Sequence, residues 1–130
     1  MIDTPFNPQR ELIFIKAMVW SDSRNASCVL ALDTGASETF VSPGILDALG
    51  YSVRDAVGLS SVTSVVGREV GYRLPVKRFE ALGFAFKDFL LNAHDFHDGS
   101  GIDGLLGLSF LQNFNYEIRS KEGILRVSPI

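Results

Sequence analysis

Ser27-Cys28-Val29-Leu30-Ala31-Leu32-Asp33-Thr34-Gly35-Ala36 is the stretch whose reading decides the fold. An apolar run rich in Val and Leu reads as a buried strand, and it ends abruptly on an acid, a hydroxyl and a glycine. Upstream, residues 11 to 20 form a second apolar stretch, and Ser21-Asp22-Ser23-Arg24-Asn25 is a polar turn cluster between the two. The pair therefore predicts a β-hairpin that delivers Asp33 at its exit. Gly35 permits a tight loop in which its own amide can point back at the carboxylate. Cys28 has the opposite strand parity to Asp33 and is expected in the core.

About seventy residues on, Ile102-Asp103-Gly104-Leu105-Leu106-Gly107-Leu108-Ser109 answers the first motif. Together the two segments make the chain similar to the retropepsin-like aspartic proteases, the single-domain relatives of the retroviral enzymes, over residues 11 to 127. A lone Asp-Thr-Gly is a weak match; preceded by an apolar strand and paired with Leu105-Leu106-Gly107, it is a specific one. The resemblance implies an all-β closed barrel with one or two short helices, in which Leu105, Leu106 and Gly107 pack behind the aspartate loop. It also implies that the Thr34 hydroxyl reaches the opposite loop across a dimer axis. Ser61 to Tyr72 falls where the family has a flap hairpin, with its tip at Thr63, Ser64, Val65, Val66 and Gly67, and these residues are expected to contact substrate. Two departures stand out. The flap carries fewer glycines than the retroviral one, and Leu108-Ser109 replaces the arginine that follows the second glycine, while Ser37 replaces that arginine's acidic partner.

The chemistry of Asp33 follows from carboxylic acids alone. Peptide hydrolysis without a covalent intermediate needs one carboxylate to take a proton from water and a second, protonated carboxyl to polarise the carbonyl. Two such groups about 3 Å apart share a proton, because both cannot ionise. At 130 residues the chain is too short for two homologous lobes, and it holds one Asp-Thr-Gly triplet. The second aspartate must come from a second copy, so the expected enzyme is a homodimeric aspartic endopeptidase with Asp33 as its catalytic residue and no cofactor. Thr34, Gly35 and Ala36 would support the dyad, Ala36 offering it no side-chain donor. Ser37 and Glu38, next along the chain, are candidates to line substrate subsites. The alternative is a catalytically silent module of the same fold that dimerises or binds peptides.

The rest of the composition excludes several classes. A net charge of −3 gives no footprint for nucleic acid. No apolar run reaches the roughly eighteen residues of a bilayer span, and the N-terminus has no signal-peptide pattern. One cysteine precludes an intrachain disulfide and suits a reducing, cytoplasmic compartment. His94, Asp95, His97, Asp98 and Asp103 could be taken for metal ligands, but their spacing matches no closed site and a turning loop is the plainer reading, so no metal is expected. Residues 1 to 10 read as an N-terminal arm and 11 to 130 as one protease domain. Ser42-Pro43 to Gly50 and Gly107 to Asn113 are short-helix candidates. Breaks are expected at Gly67, Gly71, Pro75 and Gly83, and a terminal hairpin turns at Ser120 to Gly123.

Overall fold

The computed structural model describes residues 1–64, 67–95 and 101–130. Its elements run β1 Ile2–Pro5, β2 Phe14–Trp20, β3 Asn25–Leu32, β4 Phe40–Val41, α1 Pro43–Ala48, a 3-10 turn Val53–Asp55, β5 Gly58–Ser64, β6 Gly67–Ala81, β7 Phe84–Ala93, β8 Gly104–Leu106, α2 Leu108–Leu111, β9 Phe114–Arg119 and β10 Ile124–Pro129. The main sheet has the order β2-β3-β8-β4-β7-β6-β5, and a further pairing of β2 with β6 closes its first six strands into a barrel. The all-β barrel with two short helices is thus the architecture expected from the sequence.

Alternation explains the barrel wall. Ile15, Ala17 and Val19 of β2 and Cys28 and Leu30 of β3 are buried, whereas Lys16, Ser27 and Val29 between them face outward. Burial pushes the Cys28 thiol up to about 12, helped by the nearby negative charge of Asp103, so the thiol is a core group and not a nucleophile. Phe79 of β6 stacks on Phe89 of β7 at 4.9 Å and meets the edge of Phe110 from α2 at 5.6 Å. Burying Phe110 and Leu111 supplies about 1.5–3 kcal/mol each, which fixes a helix too short to be stable alone.

Local signals account for the ends. Ser42 is the N-cap of α1 with Pro43 following, and Gly50 ends it at φ +94°. The turn before β10 uses Gly123 at φ +66°. Gly71 and Pro75 interrupt nothing, contrary to expectation: β6 runs unbroken past both. Its second edge pairs with β5 as far as Arg73 and with β2 from Arg78 onward, so Pro75 lies in the interval and removes no donor from either ladder. Gly71 is there because β6 comes too close to the end of β7 for a side chain, colliding with the Ala93 carbonyl oxygen if a β-carbon were added.

A second sheet, β1-β10-β9, stands beside the barrel. The expected N-terminal arm contributes β1 to it. Asp3 and Arg126 are cross-strand partners and form a two-pronged ion pair of 2.8 and 3.0 Å. That guanidinium lowers the Asp3 carboxyl, so the pair supports the folded state above the ordinary carboxylate range and fades as pH falls through it.

Candidate active site

Asp33 leaves the end of β3 and is held from two sides. Its backbone N–H donates to the Leu106 carbonyl at 2.9 Å, continuing the parallel pairing of β3 with β8 into the loop. Its carbonyl accepts from the Ala36 N–H at 3.2 Å, and its Oδ1 accepts from the Gly35 N–H at 2.9 Å. The Gly35 amide thus points at the carboxylate as the sequence suggested. Asp33 is half-buried and Thr34 and Gly35 are exposed, so the loop presents its acid on an open surface.

Leu105, Leu106 and Gly107 lie directly behind this loop. Leu106 is fully buried. A β-carbon at Gly107 would strike the Glu38 and Ala36 carbonyl oxygens, which is a demand for glycine set by close approach and not by a left-handed backbone, since its φ is −105°. Gly104 is under the same constraint from the Phe40 carbonyl. Beyond Gly107, the Leu108 N–H donates to the Ala36 carbonyl at 2.8 Å and the Ser109 N–H to the Ser37 carbonyl at 3.0 Å.

A pair of hydroxyls ties the segment after Gly107 to the chain leading into β4. Thr39 Oγ1 and Ser109 Oγ are 2.8 Å apart, and Thr39 Oγ1 also accepts from the Gly107 N–H at 3.3 Å. Thr39 is fully buried, so these bonds are made away from water. Ser109 stands out in the sequence, whereas Thr39 does not, its only signal being a hydroxyl between charged Glu38 and apolar Phe40.

Glu38 and Ser37 were expected near substrate. Ser37 is exposed. Glu38 is gripped by Arg73 of β6, with Nε to Oε1 at 3.0 Å and Nη2 to Oε2 at 2.9 Å, and the same guanidinium donates to the Leu59 carbonyl of β5 at 3.1 Å. One side chain therefore fastens both strands of the β5–β6 hairpin beside the aspartate loop. The hairpin lies where a flap was expected, and its register runs from Gly58 against Arg73 to Thr63 against Arg68 and Ser64 against Gly67. Val65 and Val66 lie outside the described residues.

The described members of the cluster considered for metal have separate roles. Asp103 is a strand clamp: its Oδ2 accepts from the Val29 N–H at 2.8 Å while its own N–H donates to the Val29 carbonyl at 2.7 Å. His94 is buried and its Nε2 is 2.6 Å from Ser60 Oγ. His97 and Asp98 lie outside the described residues, among which no group of three potential ligands converges.

A closed barrel with an Asp-Thr-Gly loop backed by Leu-Leu-Gly has the architecture of a retropepsin-like protease. The sequence model of the aspartyl protease family matches residues 20–110, and the chain belongs to that family. Its fold is shared by a retropepsin-like aspartic protease from Rickettsia conorii, 20% identical, with a TM-score of 0.72 over 97% of this chain and 88% of that one. The retroviral protease-like domain of Ddi1 from Leishmania major is 17% identical, with a TM-score of 0.55 over 94% and 92%. No curated protein matches the chain. Among the described residues no helix is long and apolar enough to cross a membrane.

Proposed function

We propose that the chain is an aspartic endopeptidase acting as a symmetric homodimer, in which Asp33 of each protomer supplies one half of the dyad. The observation that carries this is the Asp33 carboxylate itself, half-exposed on a loop whose backbone is pinned to β8 and whose Oδ1 is oriented by the Gly35 amide. That is a rigid mount for an acid that must meet a second acid at short range.

In the dimer, one carboxylate takes a proton from the bound water as the water oxygen attacks the peptide carbon. The other, protonated, carboxyl donates to the carbonyl oxygen. Collapse of the tetrahedral adduct breaks the C–N bond as the amine nitrogen takes the proton drawn from water by the first carboxylate, and the hydroxyl formed on the carbonyl oxygen returns its proton to the second. Thr34, exposed beside Asp33, reaches the partner's loop, and Ala36 leaves the carboxyls without a hydroxyl donor. Substrate lies extended between the dimer floor and the β5–β6 hairpin, which acts as the flap and excludes water. Ser37 and the hairpin tip line the subsites, and Glu38 contributes through the Arg73 pair. No metal or cofactor takes part.

Digestion of a peptide library by wild-type protein, with the native size measured in the same buffer, tests the reading. Cleavage by a dimer supports it. A dimer that binds peptides and leaves them intact replaces it with a silent binding module. Because the dyad is shared, specific activity is expected to fall on dilution along the dimer dissociation curve. Full activity from a demonstrated monomer would exclude a shared dyad.

A further inference from the structure

The root of the β5–β6 hairpin closes on one imidazole. Ser60 of β5 and Gly71 of β6 are cross-strand partners, so they meet the same face of the hairpin. On that face stands His94, just past the end of β7, with Ser60 Oγ 2.6 Å from its Nε2. A β-carbon at Gly71 would come within 2.7 Å of Nε2 and 2.8 Å of Cε1. One strand thus offers a hydroxyl and the other offers the absence of a side chain, which together make a socket shaped to the ring. The barrel holds the residue as well: the His94 backbone N–H donates to the Val41 carbonyl at 3.3 Å, and the Phe40 ring meets the imidazole edge-on at 5.4 Å. Ser60 and His94 are each 5% exposed, so the hydrogen bond between them has little competition from water.

We propose that His94 and Ser60 form a clasp fastening the hairpin root to the barrel, and that His94 is thereby a positioning residue for the cover over the substrate cleft. The functional half of this rests on the flap reading above; the clasp itself does not. Arg73 fastens the same root through Glu38 at the surface, whereas the His94 clasp is buried and can titrate.

The consequence is a cover that loosens in acid. Burial lowers the His94 imidazole from its ordinary value, while the carboxylates of Glu69 on β6, Asp95 after β7 and Glu38 beside the aspartate loop act to raise it. Tyr72 also borders the cavity of about 340 Å³ at this point, and burial keeps its phenol protonated. The net shift is downward. The clasped state therefore binds fewer protons than the released one, and as pH falls below the ordinary histidine value of about 6.5 the released state gains.

Hydrogen exchange of the hairpin amides, corrected for intrinsic exchange at each pH, tests this on the intact protein, with the β2 and β3 amides as internal reference. In wild type the openings of residues 58–62 and 69–73 should become more frequent from about pH 7.5 to about pH 5 while the reference stays still. Ser60→Ala should open the hairpin about fivefold more often at the higher pH, the loss of one buried hydrogen bond. His94→Gln keeps an amide able to reach Ser60 and cannot titrate, so it should hold wild-type protection and lose the pH dependence. Unchanged hairpin exchange in Ser60→Ala, or a pH dependence retained in His94→Gln, overturns the clasp. Peptide cleavage measured alongside separates the two readings. The expected exchange pattern without cleavage removes the protease and leaves the clasp, and cleavage with unaltered exchange does the reverse.

Discussion

Asp33→Asn is expected to lower peptide hydrolysis by at least about a thousandfold while leaving the fold in place. In a symmetric dimer the substitution removes the base and the protonated carboxyl at once, and no other group on the loop can activate water. The fold should survive because an amide Oδ1 can still accept from the Gly35 N–H, and the two backbone bonds of residue 33 do not depend on its side chain. A thermal midpoint within about 3 °C of wild type is the accompanying expectation. Cleavage retained at the wild-type rate would place the chemistry elsewhere in the molecule.

Gly107→Ala should be strongly damaging for the addition of a single methyl. The added carbon meets two backbone oxygens, those of Glu38 and Ala36, which belong to the loop carrying Asp33 and cannot swing aside as a side chain would. The cost is about 3 kcal/mol, at the top of the usual range for overpacking, or a fall in Tm on the order of 10 °C for a domain of this size. Gly44→Ala is the matched control. It sits in α1 with nothing within 4 Å of the new carbon, and should be neutral or slightly stabilising. Equal melting of the two variants would show that the close approach behind the aspartate loop is not a constraint.

The barrel and its aspartate loop were legible because their signals are local. Apolar runs, a polar turn at Ser21 to Asn25, and Pro43 with Gly50 around a short helix each specify backbone within a few residues. What was not legible is pairing across the barrel. Thr39 with Ser109, Arg73 with Glu38, and His94 with Ser60 join positions 70, 35 and 34 residues apart. Periodicity says which face a residue occupies but not what stands opposite, since that depends on register between strands distant in sequence. The same gap explains Gly71 and Pro75. Both look like breaks in a one-dimensional reading, and both are permitted in a continuous strand by what its two edges meet.

The pinning of β3 to β8 also sets an order of events during synthesis. Val29 and Asp103 exchange their bonds across 74 residues, and the Asp33 amide takes its partner from Leu106. Contacts of such separation form late, since the intervening chain must be brought together before any of them rewards the loss of freedom. A nascent chain can form the β2–β3 hairpin early, yet its acid hangs on an unsupported loop until Leu106 has left the ribosome. The acidic group and the scaffold that aims it are thereby separated in time.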